Sequence, residues 1–226
     1  MSQPTHGRID AVCVVNALIP DANPNGLELT AIDKRPVTEP VRVGALGLEG
    51  DDQYDKRHHG GVDQAVYVYA TEEADRWAAE LGYDVAPGRF GENLRTLGLA
   101  VTDVVVGERW QVGEAGIGPV LEARSPRVPC ATFQAWMHEP HWVKRFTERG
   151  DVGAYFRVLR EGYVLAGDDV EVVHRPNHGV SIRQVFDSRL GRHLEAMRRL
   201  LDEGEDLDPK LVAEVSRRVA VTTRDG

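Results

Sequence analysis

The sequence predicts a mainly β, α+β protein: a barrel of short strands with peripheral helices, followed by a small helical domain. Two observations carry this. Up to about residue 174, short apolar or alternating runs are separated by Gly, Pro, Asn and Asp, with few helical patterns among them. Beyond Arg175-Pro176-Asn177-His178-Gly179 only helical spacing is found.

Taken in order, Ile9 to Ala17 is an apolar run and reads as a buried strand. Pro20 to Gly26 is dense in turn residues and reads as a loop. Glu28 to Asp33 and Val41 to Leu46 read as strands, with Pro36 and Pro40 between them limiting the sheet. Gln64 to Ala70 alternates valine and tyrosine, as a strand does. A helix follows, with Thr71 as N-cap and Glu72 and Glu73 at the positive end of its dipole. Ala74, Trp77, Ala78 and Leu81 form its apolar face and Gly82 ends it. Strands are expected at Val101 to Val106, Arg109 to Val112, Val120 to Arg124 and Asp169 to Val173. Thr132 to Glu139 and His141 to Arg149 read as helices, split at Pro140 and stopped by Gly150.

The predicted domains are 1–174, the barrel, and 175–226, an appendage of three short helices. Ser181 and Gln184 make a capping box for the first helix. Leu190, Leu194, Met197 and Leu201 line the second. Asp208 caps the third, with Pro209 at its first position. An appendage this small is expected to dock on the barrel.

The net charge of −9 argues against a nucleic-acid polymer as partner, because phosphate neutralisation needs clustered Lys and Arg. Met1 to Asp10 shows no secretory pattern and no run has the length of a membrane span. With only two cysteines, unlike in setting, a cytoplasmic location is expected. Multi-cysteine iron–sulfur spacing, GxGxxG, a P-loop and GxSxG are all missing.

The candidate for chemistry is Cys130, in Ser125-Pro126-Arg127-Val128-Pro129-Cys130. A neighbouring guanidinium favours thiolate, the form that binds soft metals or attacks sulfur. Cys13, inside Ala11-Val12-Cys13-Val14-Val15, reads as structural. His58 and His59 are adjacent, so on a strand they point to opposite faces and do not chelate one ion. Two readings of His59 stand side by side: a hydrogen-bond or proton donor to a ligand, and a hairpin-turn histidine. Gly60 and Gly61 suit close backbone approach or positive φ.

Five stretches resemble the MOSC family, the molybdenum-cofactor sulfurase C-terminal domains, in its bacterial branch with a three-helix C-terminal domain. They are Gly47-Leu48-Glu49-Gly50-Asp51-Asp52-Gln53, His59-Gly60-Gly61-Val62-Asp63-Gln64-Ala65-Val66, Phe90-Gly91-Glu92-Asn93-Leu94, Ser125 to Cys130, and Gly162-Tyr163-Val164-Leu165-Ala166-Gly167-Asp168. They occur in the family's order and place the core at 28–174.

The resemblance implies a β-barrel that binds a molybdenum–molybdopterin cofactor, with tungsten an equal alternative, and Cys130 as metal ligand. It makes Lys34, Arg35, Gln53, Gly91, Asn93 and Arg127 candidate cofactor contacts, with Tyr155 and Arg157 candidates to line the pocket. It further implies reduction of N-hydroxylated compounds, such as hydroxylamino-purines or amidoximes, to amines. His59 is the candidate proton donor there. Electrons would come from a separate flavoprotein or ferredoxin-type partner. Two alternatives stay open: a sulfur carrier using a Cys130 persulfide, and a non-catalytic cofactor carrier.

Overall fold

The structure, a computed structural model, describes residues 4–24, 26–51 and 60–222. In chain order the strands are β1 (His6–Val15), β2 (Ile19–Pro20), β3 (Leu29–Thr30), β4 (Lys34–Val37), β5 (Val41–Gly44), β6 (Gly47–Leu48), β7 (Val66–Ala70), β8 (Leu94–Leu97), β9 (Arg109–Val112), β10 (Val120–Pro126), β11 (Ala154–Arg160), β12 (Gly162–Val164) and β13 (Asp169–His174). The helices are α1 (Thr71–Leu81), α2 (Ala131–Met137), α3 (Trp142–Arg149), α4 (Ile182–Asp187), α5 (Leu194–Glu203) and α6 (Pro209–Thr222).

The β-barrel with peripheral helices expected from the sequence is found, a closed seven-stranded barrel joined by six α-helices among the described residues. Its order is β13-β9-β10-β11-β7-β8-β1, and pairing of β13 with β1 closes it. Every neighbouring pair is antiparallel except β7 and β8. A parallel pair needs a crossover, and α1 lies in the segment joining these two strands. β1 serves three neighbours: its first residues pair with β13, its middle with β8 and its last with β4. A bulge between Ile9 and Ala11 shifts its register.

Several expectations are corrected. The segment 28–33 holds only the two-residue β3, and the longer strand is β4, which contains Pro36. That proline is tolerated because β4 is an edge strand, bonded among the described strands to β1 alone. Val101 to Val106 is not a strand: 101–103 is one 3-10 turn and Val105 makes a single bridge to Ser181. Thr102 diverts the backbone there. Its N–H donates to Glu73 Oε1 (2.9 Å), and its hydroxyl accepts the N–H groups of Val152 and Gly153. Thr71 is not a cap either; its hydroxyl donates to Asp10 Oδ2 at the β1 bulge (2.7 Å) and the N-cap is Ala70. β8 and β12 escaped the sequence reading, since neither shows simple alternation.

The helices α1, α2 and α3 are joined by one aromatic cluster. Trp77 lies 4.4 Å from Trp142 and stacks on Phe146 at 5.8 Å, centroid to centroid. Phe90 packs edge-on against Phe133 and against Tyr69 of β7. Left-handed Gly82 and Gly150 end α1 and α3, as their positions predict.

The C-terminal segment is stitched to the barrel by backbone. Val106 N–H donates to Val180 O, and Ile182 N–H to Val104 O. The Ser181–Gln184 capping box is formed, and Asp208 Oδ1 accepts the Lys210 N–H at the head of α6. The second helix starts at Leu194, so Leu190 lies outside its stripe and is half exposed. Among the described residues no helix is long and apolar enough to cross a membrane.

Replacing Trp142 by Ala empties the centre of the aromatic cluster and is expected to cost about 3–5 kcal/mol of stability. Urea denaturation measures this; a loss below about 1 kcal/mol would mean that α3 is an ornament on a self-sufficient barrel.

Candidate functional site

A row of paired residues crosses three strands. Ser125 on β10 faces Tyr155 on β11, and Tyr155 faces Tyr67 on β7. The Tyr67 and Tyr155 rings lie 5.1 Å apart. The row continues through Asn93, which immediately precedes β8. Its N–H donates to Tyr67 O (2.8 Å) and its Oδ1 accepts the Tyr67 N–H (3.1 Å). On the far side its carbonyl accepts the Cys13 N–H (2.7 Å). The Asn93 Nδ2 donates to Asp51 Oδ2 (2.8 Å). Asp51 also accepts from Lys34 Nζ on Oδ2 and from Val15 N–H on Oδ1 (3.0 Å). Lys34 is buried, which pushes its pKa down while Asp51 pulls it back.

The segment 88–93 is the second brace. Gly88 packs so closely on the Lys34 backbone that a Cβ would clash, and its φ of +85° also favours glycine. Glu92, fully buried, accepts the Gly88 and Phe90 N–H groups and pairs with buried Arg95. The Gly91 N–H donates to Gly88 O inside this turn (2.9 Å), so it is spent there and is not offered to a ligand.

Arg127 docks on the same turn, donating to Phe90 O. Its guanidinium lies 3.6 Å from the centroid of Phe133 and 5.1 Å from that of Tyr67. Burial opposes its charge, but Tyr67, Tyr155 and Cys130 outweigh it and its pKa stays above the ordinary value. Three residues on, Cys130 occupies the N-cap of α2 in an extended conformation, half buried, its carbonyl accepting the Gln134 N–H. The other cysteine is its opposite: Cys13 is fully buried and burial pushes its thiol up to about 12.

The structure therefore brings Cys130, Arg127, Tyr155, Tyr67 and Asn93 together, with Lys34 joined through Asp51. Arg35 differs from the other cations. It is 63% exposed and uses Nε on Asp33 (2.7 Å). Arg127, Lys34 and Asn93 are buried and engaged with the protein itself. Gln53 and His59 lie outside the described residues. Gly60 and Gly61, which follow, do have positive φ, at 92° and 85°. Arg157 points its charge to Glu122 and Asp206.

Among the described residues no group of three or more His, Cys, Asp or Glu side chains is placed to hold a metal. The described residues thus offer a metal on Cys130 no set of further His, Cys, Asp or Glu ligands. A cofactor with its own sulfur ligands fits one accessible thiol on Cys130 and a buried Ser125 Oγ that has no partner among the described residues, while the exposed Arg35 guanidinium on β4 could meet an anionic tail. Sequence reasoning missed Tyr67 and the Glu92–Arg95 pair. The i, i+3 spacing of the pair was its only signal.

The MOSC domain model matches residues 55–171. An uncharacterized protein YflK of Bacillus subtilis (strain 168) is 35% identical over 178 residues, covering 77% of this chain and 78% of that protein. A protein named Reductase from Gibberella moniliformis is 33% identical over 157 residues, which is 67% of this chain and only 27% of that one. Among solved structures, YiiM from Geobacillus stearothermophilus superposes with a TM-score of 0.74 at 26% identity, covering 94% of this chain and 99% of its own.

Because Asp51 compensates buried Lys34 and also holds Asn93 and Val15, Asp51→Ala is expected to cost about 3–5 kcal/mol. Lys34→Met leaves Asp51 two donors and is expected to cost less. Paired urea titrations decide it, and the reverse order would show that Asp51 is not the hub.

Proposed function

The chain belongs to the MOSC domain family, and from that premise we propose that it is a molybdenum-cofactor-binding oxidoreductase that reduces N-hydroxylated compounds to amines. The observation that carries the reading is Cys130. It is the accessible one of the two thiols, set at the start of α2 with buried Arg127 beside it, inside the segment that the family model matches. The name of the fungal relative, Reductase, agrees in reaction class.

The cofactor, with molybdenum or tungsten, would supply two-electron chemistry at a sulfur-held metal. The thiolate of Cys130 would be the protein's ligand to it. Arg35, already facing solvent, would pair with the cofactor's phosphate, where a guanidinium gives two parallel donors. Arg127, Lys34, Asn93 and Gly91 would act one layer back, holding the thiol-bearing turn and the 88–93 segment in register. Gln53 and His59 complete the proposed contacts, His59 as proton donor.

The balance of the reaction fixes what else is needed. An N-hydroxyl compound takes two electrons and two protons and yields amine and water. The sequence holds no relay cofactor motif, so a flavoprotein or ferredoxin-type partner would deliver the electrons. The proposed setting is the cytoplasm, where such thiols stay reduced.

Metal analysis of protein made in a pterin-competent host fed with molybdate is the test. About one molybdenum per chain is expected in the wild type and almost none in Cys130→Ala. The loaded protein is expected to reduce a hydroxylamino-purine with an artificial electron donor. Failure to load, under conditions that fill a control molybdoenzyme, overturns the reading and turns attention to a Cys130 persulfide.

A further inference from the structure

A cavity of ≈ 310 Å³ lies apart from Cys130, and none of the residues grouped around that thiol lines it. It lies on the seam between the barrel and the C-terminal segment. Glu72, Glu73 and Arg76 of α1 line it with Asp103, Asp151 and Arg183 of α4. Four carboxylates thus face two guanidinium groups.

The guanidinium groups want nothing further. Arg76 Nε holds Asp151 (2.9 Å), Arg183 Nε holds Asp187 (3.0 Å), and both side chains reach water. The carboxylates are different. Glu72 Oε1 accepts the Gly98 N–H (2.7 Å) and Glu73 Oε1 accepts the Thr102 N–H. In both residues the second oxygen, Oε2, is buried with no hydrogen-bond partner among the described residues. Glu73 is 2% exposed. A buried acceptor without a donor is uncommon in a folded protein and calls for an explanation. Among the described residues, these two oxygens lack a donor.

A bare metal ion is a poor candidate, since among the described residues no group of three ligating side chains is placed to hold one. We propose that this cavity binds a compact organic cation carrying several N–H donors, an ammonium or guanidinium, which Glu72 and Glu73 hold between the barrel and α4. Such a ligand would bridge the two parts of the chain and so stabilise their union.

The charge on Glu73 adds a second signature. Burial pushes its carboxyl up to about 7, against the Thr102 amide and Arg76, with Asp151 adding to the rise. Tyr69 on β7, Asp103 and Arg183 are the other titratable or charged groups around it. A cation prefers the ionised carboxylate, so binding should strengthen as pH rises through about 7.

The inference does not rest on the proposed reaction and is tested on the full chain without cofactor. Methylguanidinium is titrated calorimetrically at about pH 8 and about pH 6, with acetate as the anionic control. Saturable binding is expected at the higher pH, weaker by about tenfold at the lower, and accompanied by a rise in Tm. Glu73→Gln should weaken binding at least about tenfold and abolish the pH dependence. Should that variant misfold by circular dichroism, Glu72→Gln gives the same readout of affinity. No saturable heat, binding that survives both substitutions, or preferential binding of acetate would each overturn the proposal.

Discussion

Asn93 is the tie on which the site depends. β7 and β8 pair in parallel from Val68 and Leu94, and just ahead of that register the Asn93 backbone already bonds on both sides, its N–H to Tyr67 O and its carbonyl to the Cys13 N–H. The side chain adds to this: its Oδ1 accepts the Tyr67 N–H, and its Nδ2 donates to Asp51. β7, β1 and the Lys34 region are thereby held in one register. Tyr67 in turn donates its hydroxyl to Val152 O (2.9 Å), just ahead of β11 and Tyr155. Arg127 lies over the Tyr67 ring. The surroundings of Cys130 are thus tied to Asn93, through its backbone and its side-chain amide together.

Charge is managed by the same economy. Glu92 with Arg95, Asp51 with Lys34 and Glu122 with Arg124 are buried, and each ion has an opposite partner. Removing one member of such a pair leaves the other stranded, which is why these residues read as scaffold. Arg127 escapes the pattern. Its positive charge rests on ring faces and one carbonyl, with no carboxylate bound to it among the described residues. A cation kept from neutralisation beside a thiol suits a site meant to hold negative charge.

What was legible in the sequence follows the range of the interaction behind it. Ser181 with Gln184, Asp208 with Pro209, and Gly82 and Gly150 are local devices, and each is found where its spacing puts it. Thr71 has the chemistry of a cap, yet Asp10, distant in sequence, claims its hydroxyl. Val101 to Val106 has the composition of a strand, yet Thr102 is recruited by Glu73 and by Val152. The site divides the same way. Cys130 stands out because its proline frame and Arg127 are neighbours in sequence. That Arg127 and Asn93 face the protein was illegible, since Phe90, Phe133 and Tyr67 meet them only in the fold. The two cysteines show the limit from the other side: an apolar run around Cys13 was signal enough to mark it as core.

The C-terminal segment carries the argument to the edge of the barrel. Its hold is not shared equally among its helices. Residues 180–182 complete backbone hydrogen bonds that 104–106 would otherwise lack, and this half of the contact is buried. By contrast the Arg157–Asp206 pair, near α6, ends on a carboxylate that is 73% exposed, and such pairs contribute little. α4 is therefore part of the barrel's own hydrogen bonding, whereas α5 and α6 lean on it. The cavity bearing Glu72 and Glu73 lies at this inner seam, where α4 meets α1. The 101–106 segment, diverted from strand structure at Thr102 by its bond to Glu73, meets the head of α4 through Val104, Val105 and Val106. One departure from regular sheet thus adjoins both the docked tail and the acidic cavity beside it.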